Sequence, residues 1–93
     1  MAQHRPTVTV YTRAGCGLCA VAEELVASEV RRRPPWRPRP RVSFVDVDED
    51  EGLVRRYGVR VPVVVIDGRE AAELEVSRDQ VRQALRAAWR SSG

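Results

Sequence analysis

Lysine is absent from this 93-residue chain, two residues are cysteine and one is histidine. So few cysteines exclude a disulfide-dense scaffold. A single bridge between Cys16 and Cys19 would barely restrict the unfolded chain, so stability is not the reason for the pair. A closed tetrahedral zinc site needs four ligands, and beyond the two thiols the chain offers only His4, far away in the N-terminal segment. No metal site is therefore expected within one chain. No apolar run approaches membrane-spanning length, and MAQHRPTVTVYT lacks the apolar core of an export signal. These absences lead to the expectation of a cytoplasmic protein without membrane attachment. In a reducing compartment a close cysteine pair is more often catalytic or metal-binding than structural.

What the chain does contain supports one compact unit. Its length and its 43% hydrophobic content suit a single domain over 1–93, and no internal repeat interrupts it. With no lysine, all 16 basic side chains are arginines, set against 13 acids for a net charge of +3. Six of those arginines crowd into RRRPPWRPRPR, residues 31–41, while the acids gather in DVDEDE, residues 46–51. A basic run around Trp36 could hold phosphates and stack a base. Against that, Pro34, Pro35, Pro38 and Pro40 forbid regular structure and favour a solvated, stiffened connection. No second basic patch follows in sequence, so nucleic acid is not expected as a partner.

Hydrophobic periodicity alternates between strand and helix. TVTVYT shows the period-2 pattern of a β-branched strand. Residues 17–31 read as an amphipathic helix with Ala20, Val21, Leu25 and Val26 on its apolar side. VSFVDV, residues 42–47, is a second strand, and residues 49–57 form a short helix ended by Gly58. VPVVVI then runs into an Asp67-Gly68 turn, with residues 69–76 as the antiparallel partner. Ser77 and Gln80 make a capping box for a last helix carrying Val81, Leu85, Ala88 and Trp89 on its apolar side. The order is βαβαββα.

That order sets Cys16 at a strand-to-helix junction. Unpaired backbone N–H groups and the positive end of the helix dipole favour a thiolate there. Cys19 lies one turn further on and can reach back to the first sulfur. The pair then suits a reversible disulfide, in which Cys16 attacks a substrate disulfide and Cys19 resolves the mixed species. Arg13, three residues upstream, adds positive charge. Two other readings remain at this level: a cluster or metal held between two chains through Cys16, and two buried thiols acting as small hydrophobes.

With TVYTRAGCGLC opening the domain and DVDEDEGLVRRYGVRVPVVVIDG following, the chain resembles the glutaredoxin family of the thioredoxin-fold superfamily, from Thr7 to about Trp89. The resemblance implies an α/β fold with a four-stranded mixed sheet flanked by three helices, and thiol–disulfide oxidoreductase activity. It makes Cys16 the nucleophile and Cys19 the resolving thiol, and Pro62 the family's cis-proline beside the active site. Val61, before that proline, would offer its backbone to substrate, and Arg13 would meet a substrate carboxylate. It implies no resident cofactor, disulfide-bearing proteins or small molecules as substrates, a monomer, and recycling by glutathione or another low-molecular-weight thiol. The Gly-Leu between the cysteines is neither the Gly-Pro of thioredoxins nor the Pro-Tyr of glutaredoxins. The Gly-Gly that many glutaredoxins set after the last strand is missing from EAAELEVSRD. Reduction by glutathione is accordingly expected to be poor.

Overall fold

Valine-rich strands buried on both faces organise the molecule. The computed structural model describes residues 4–90. Its elements are β1 (Thr7–Thr12), α1 (Gly17–Arg31), β2 (Arg41–Asp46), a single 3-10 turn (Val47–Glu49), α2 (Glu51–Tyr57), β3 (Val63–Ile66), β4 (Arg69–Glu73) and α3 (Arg78–Arg90). The sheet runs β2-β1-β3-β4. β1 lies parallel to β2, with Thr12 opposite Asp46, and antiparallel to β3, with Tyr11 opposite Val63. This is the α/β thioredoxin-like arrangement of a mixed sheet with three helices.

Alternation along the central strands divides the core. Val8, Val10, Val64 and Ile66 face α1 and α3, where they meet Val26, Val30, Val81, Leu85 and Trp89. Tyr11, Val63 and Val65 face the other way, against Val47, Leu53, Val54 and Tyr57. Two buried faces explain why VVVI contains no polar residue. The hairpin turn uses left-handed backbone at Asp67 (φ 51°) and Gly68 (φ 80°), the geometry a two-residue Asp-Gly connection provides. His4, expected in an N-terminal segment far from the cysteines, pairs with the Asp67 carboxylate at this turn.

Several sequence expectations are corrected. The buried face of α1 is Cys19, Ala22, Val26, Glu29 and Val30, whereas Val21 is exposed. Residues spaced three and four apart from Cys19 share its face, so the buried second thiol sets the phase of the helix rather than the apolar pair Ala20-Val21. β2 ends at Asp46, and Val47 turns inward to fill the core under α2. β4 stops at Glu73 because Leu74 takes a positive φ of 60°, with its N–H donating to the carbonyls of Arg60 and Pro62. The capping box is formed: Gln80 N–H donates to Ser77 Oγ, and Ser77 N–H donates to Gln80 Oε1.

The arginine-proline connection, residues 32–40, is irregular as its prolines require, but it is not simply solvated. Pro40 is buried, and Trp89 Nε1 donates to the Pro38 carbonyl at 3.1 Å, which pins the connection to α3. Among the described residues no helix is long and apolar enough to cross a membrane.

Candidate active site

Cys16 occupies the N-cap of α1 with extended backbone (φ −94°, ψ 108°), and its sulfur accepts the Cys19 N–H at 3.1 Å. A sulfur here meets the first unpaired amides of the helix, an arrangement that stabilises negative charge on it. Gly15, at φ 75°, supplies the left-handed turn that brings the chain from β1 into this cap. Cys19 sits one turn on and is 2% exposed, while Cys16 is half-buried. The two are joined as a disulfide with Cα atoms 5.2 Å apart. Gly17 and Leu18 between them are exposed, so the sulfur pair opens to solvent on the Cys16 side.

Strand register brings the other candidate residues to the same end of the sheet. Because Tyr11 pairs with Val63, the segment leading from β1 to Cys16 and the Val61–Pro62 dipeptide lie at adjacent ends of neighbouring strands. The Val61–Pro62 peptide bond is cis, as the resemblance implied. Pro62 is buried, its carbonyl takes the Leu74 N–H at 2.9 Å, and Val61 packs against the cluster of Val47, Tyr57 and Val63.

Arg13 is placed at this end too, but its donors are committed. Its Nε and Nη2 grip the Asp48 carboxylate at 3.0 and 2.8 Å, and Nη1 donates to the Gly58 carbonyl at 3.4 Å. The hydrogen bond from Arg13 holds the Asp48 carboxyl below the usual carboxylate range. A Cβ on Gly58 would lie 2.5 Å from the Val54 carbonyl oxygen, so only glycine lets the chain pass under Arg13 here. Sequence reasoning did not single out Asp48. Only the parallel pairing of Thr12 with Asp46, which puts the residues just beyond both strands side by side, picks it out of the acidic run.

An aromatic stack is the second feature of this end. Tyr11 and Tyr57 stack with ring centroids 4.1 Å apart, and the guanidiniums of Arg56 and Arg60 lie 5.3 and 5.5 Å from the Tyr57 ring. Burial, followed by the neighbouring Tyr57, pushes the Tyr11 phenol up. Both tyrosines look like ordinary core residues in sequence. Only the fold sets the odd face of β1 against α2.

Residues 7–86 match the profile of the glutaredoxin-like domain (DUF836). The chain belongs to the glutaredoxin-like family. It is 37% identical over 86 residues to an uncharacterized protein of Mycobacterium tuberculosis, spanning 84% of this chain and 80% of that one. Among solved structures, a structural-genomics target protein from X. campestris is 32% identical, covers 86% of this chain and 96% of its own, and superposes with a TM-score of 0.67. A thioredoxin from Halobacterium salinarum shares the fold at 24% identity and a TM-score of 0.66, covering 92% of this chain and 76% of its own. The glutaredoxin-like fold and the CxxC-spaced cysteine pair together support a redox-type function.

Proposed function

We propose that this protein is a cytoplasmic, monomeric thiol–disulfide oxidoreductase that cycles the Cys16/Cys19 pair between dithiol and disulfide without a resident cofactor. The observation that carries the reading is the helix-capping sulfur of Cys16, bonded to a buried Cys19 and facing solvent on its own side.

In the reducing direction the Cys16 thiolate attacks one sulfur of a substrate disulfide, and the other sulfur leaves as a thiolate that takes up a proton. The Cys19 thiol loses its proton and attacks the Cys16 sulfur. That closes the protein disulfide and releases the second substrate thiol. Two electrons pass from protein to substrate, and an external thiol returns them. Burial of Cys19 separates the roles, since a substrate can reach Cys16 while Cys19 reaches only Cys16. Val61, ahead of the cis-proline, offers its backbone to the incoming chain. Exposed Leu18 and Val59 supply apolar contact for a protein or peptide substrate at the same end.

The test is paired substitution. Cys16→Ser should abolish reduction of a disulfide-linked peptide, and Cys19→Ser should accumulate a mixed disulfide with it, detectable by mass. Alkylation of the reduced protein at mildly acidic pH should label Cys16 ahead of Cys19. Full turnover by Cys16→Ser, or preferential labelling of Cys19, would reverse the roles.

A further inference from the structure

A groove of about 460 Å³ lies at the other end of α1 from the sulfurs, between the arginine-proline connection and α3. The connection contributes Arg32, Arg33 and Arg37, and α3 contributes Arg82, Arg86 and Arg90. Arg82, Arg86 and Arg90 are spaced by four, so they form one stripe along the helix and never appear as a run in sequence. In the linear sequence no second basic patch accompanies residues 31–41, which is why nucleic acid is not expected from sequence alone. The fold supplies that patch.

The groove's charge is largely uncompensated. Among the described residues that line it, Glu29 is the one carboxylate, and Arg78 and Arg82 already hold it at 2.7 Å each. Arg33 gives its donors to the carbonyls of Val30 and Arg37, and Arg37 lies over the Trp89 ring. None of Arg32, Arg33, Arg37, Arg86 or Arg90 has a carboxylate within ion-pair distance among the described residues. Trp36, 70% exposed, stands on the lining between prolines that keep the backbone from collapsing over it.

We propose that this groove binds single-stranded nucleic acid, with the arginines on successive phosphates and Trp36 stacked on a base. Guanidinium forks match phosphate geometry, and an exposed indole beside a basic channel is the pairing that unstacked bases seek. An acidic peptide would use the arginines but would leave Trp36 without a planar partner. The site is separate from the sulfur chemistry, since 15 residues of α1 at about 1.5 Å each set it roughly 20 Å from Cys16.

The experiment is fluorescence anisotropy of a labelled oligothymidylate of about twelve nucleotides, a length within the usual single-strand site range, titrated with the whole protein. Arg82 is held by Glu29 and Arg33 by backbone carbonyls, so four phosphate contacts, from Arg32, Arg37, Arg86 and Arg90, predict that binding weakens about 20-fold between 50 and 150 mM salt. Trp36→Ala should weaken it about tenfold or more, and Trp36→Phe should keep most of it. The Arg86→Ala/Arg90→Ala pair should flatten the logarithmic salt slope by about 1.4. Disulfide reduction by Trp36→Ala should match the parent, so failure here and failure of the redox reading are distinguishable. Lack of saturable binding at low salt would overturn the proposal. So would binding indifferent to Trp36→Ala, or equal competition per charge by inorganic polyphosphate or polyglutamate.

Discussion

Arg13 stands three residues before Cys16, where a free guanidinium would serve to steady a thiolate or to receive a ligand carboxylate. Asp48 and the Gly58 carbonyl hold it instead, and a competing carboxylate must first displace Asp48. At the end of β4 and just past it, where many glutaredoxins have two glycines, this chain sets the exposed side chains of Glu73, Leu74 and Glu75. On this basis the oxidised protein is predicted to be reduced slowly by glutathione and faster by a dithiol donor. Removing the competitor should partly reverse this. Asp48→Ala is expected to lower the half-saturating glutathione concentration about three- to fivefold, the discounted worth of one exposed charged hydrogen bond. Initial rates of reduction of the oxidised protein across a glutathione series measure it; an unchanged curve would mean that Arg13 does not meet the glutathione carboxylate. Arg13 itself was legible from its spacing to Cys16. Its partner was not, because DVDEDE reads as a uniform acidic run until strand pairing chooses which carboxylate faces the arginine.

Helix α1 shows the same limit on a larger unit. Its boundaries were legible from the cysteine at its start and the prolines beyond its end, and the apolar side of α3 was read correctly residue for residue. The inner face of α1 was misphased because it contains a carboxylate. Glu29 is buried, and Arg78 and Arg82 of α3 reach it at 2.7 Å. Burial disfavours its charge, but the hydrogen bonds from Arg82 and Arg78 outweigh that and hold the carboxyl below its ordinary range. A depressed folded-state value means that the pair's contribution is present above the unfolded value, about 4.3, and is lost as pH falls through the lower folded value. Glu29→Gln should therefore cost about 1–2 kcal/mol at pH 7, discounted because both arginines remain partly in water. The gap from the parent should narrow below about pH 4. Urea denaturation at the two pH values checks this, and a gap independent of pH would show that the carboxylate's charge is not what joins α1 to α3.

At the scale of the whole molecule, the strand-helix order and the hairpin came from local periodicity and turn chemistry, and the family motifs supplied the sheet. What local pattern could not supply was which end of the sheet each loop occupies. The acidic 46–51 stretch follows β2 on the side of the sulfurs, whereas the arginine-proline connection precedes it and meets α3 at the far end. The same division sorts the aromatic rings. Tyr11 and Tyr57 stack at the sulfur end, while Trp36 and Trp89 both line the arginine groove. The protein thus carries two optical reporters, one at each pole. Tryptophan emission, excited selectively, should stay constant when the Cys16–Cys19 bond is reduced and should shift when the 32–40 connection leaves α3. A change in indole emission on reduction alone would reveal that the two poles communicate along α1.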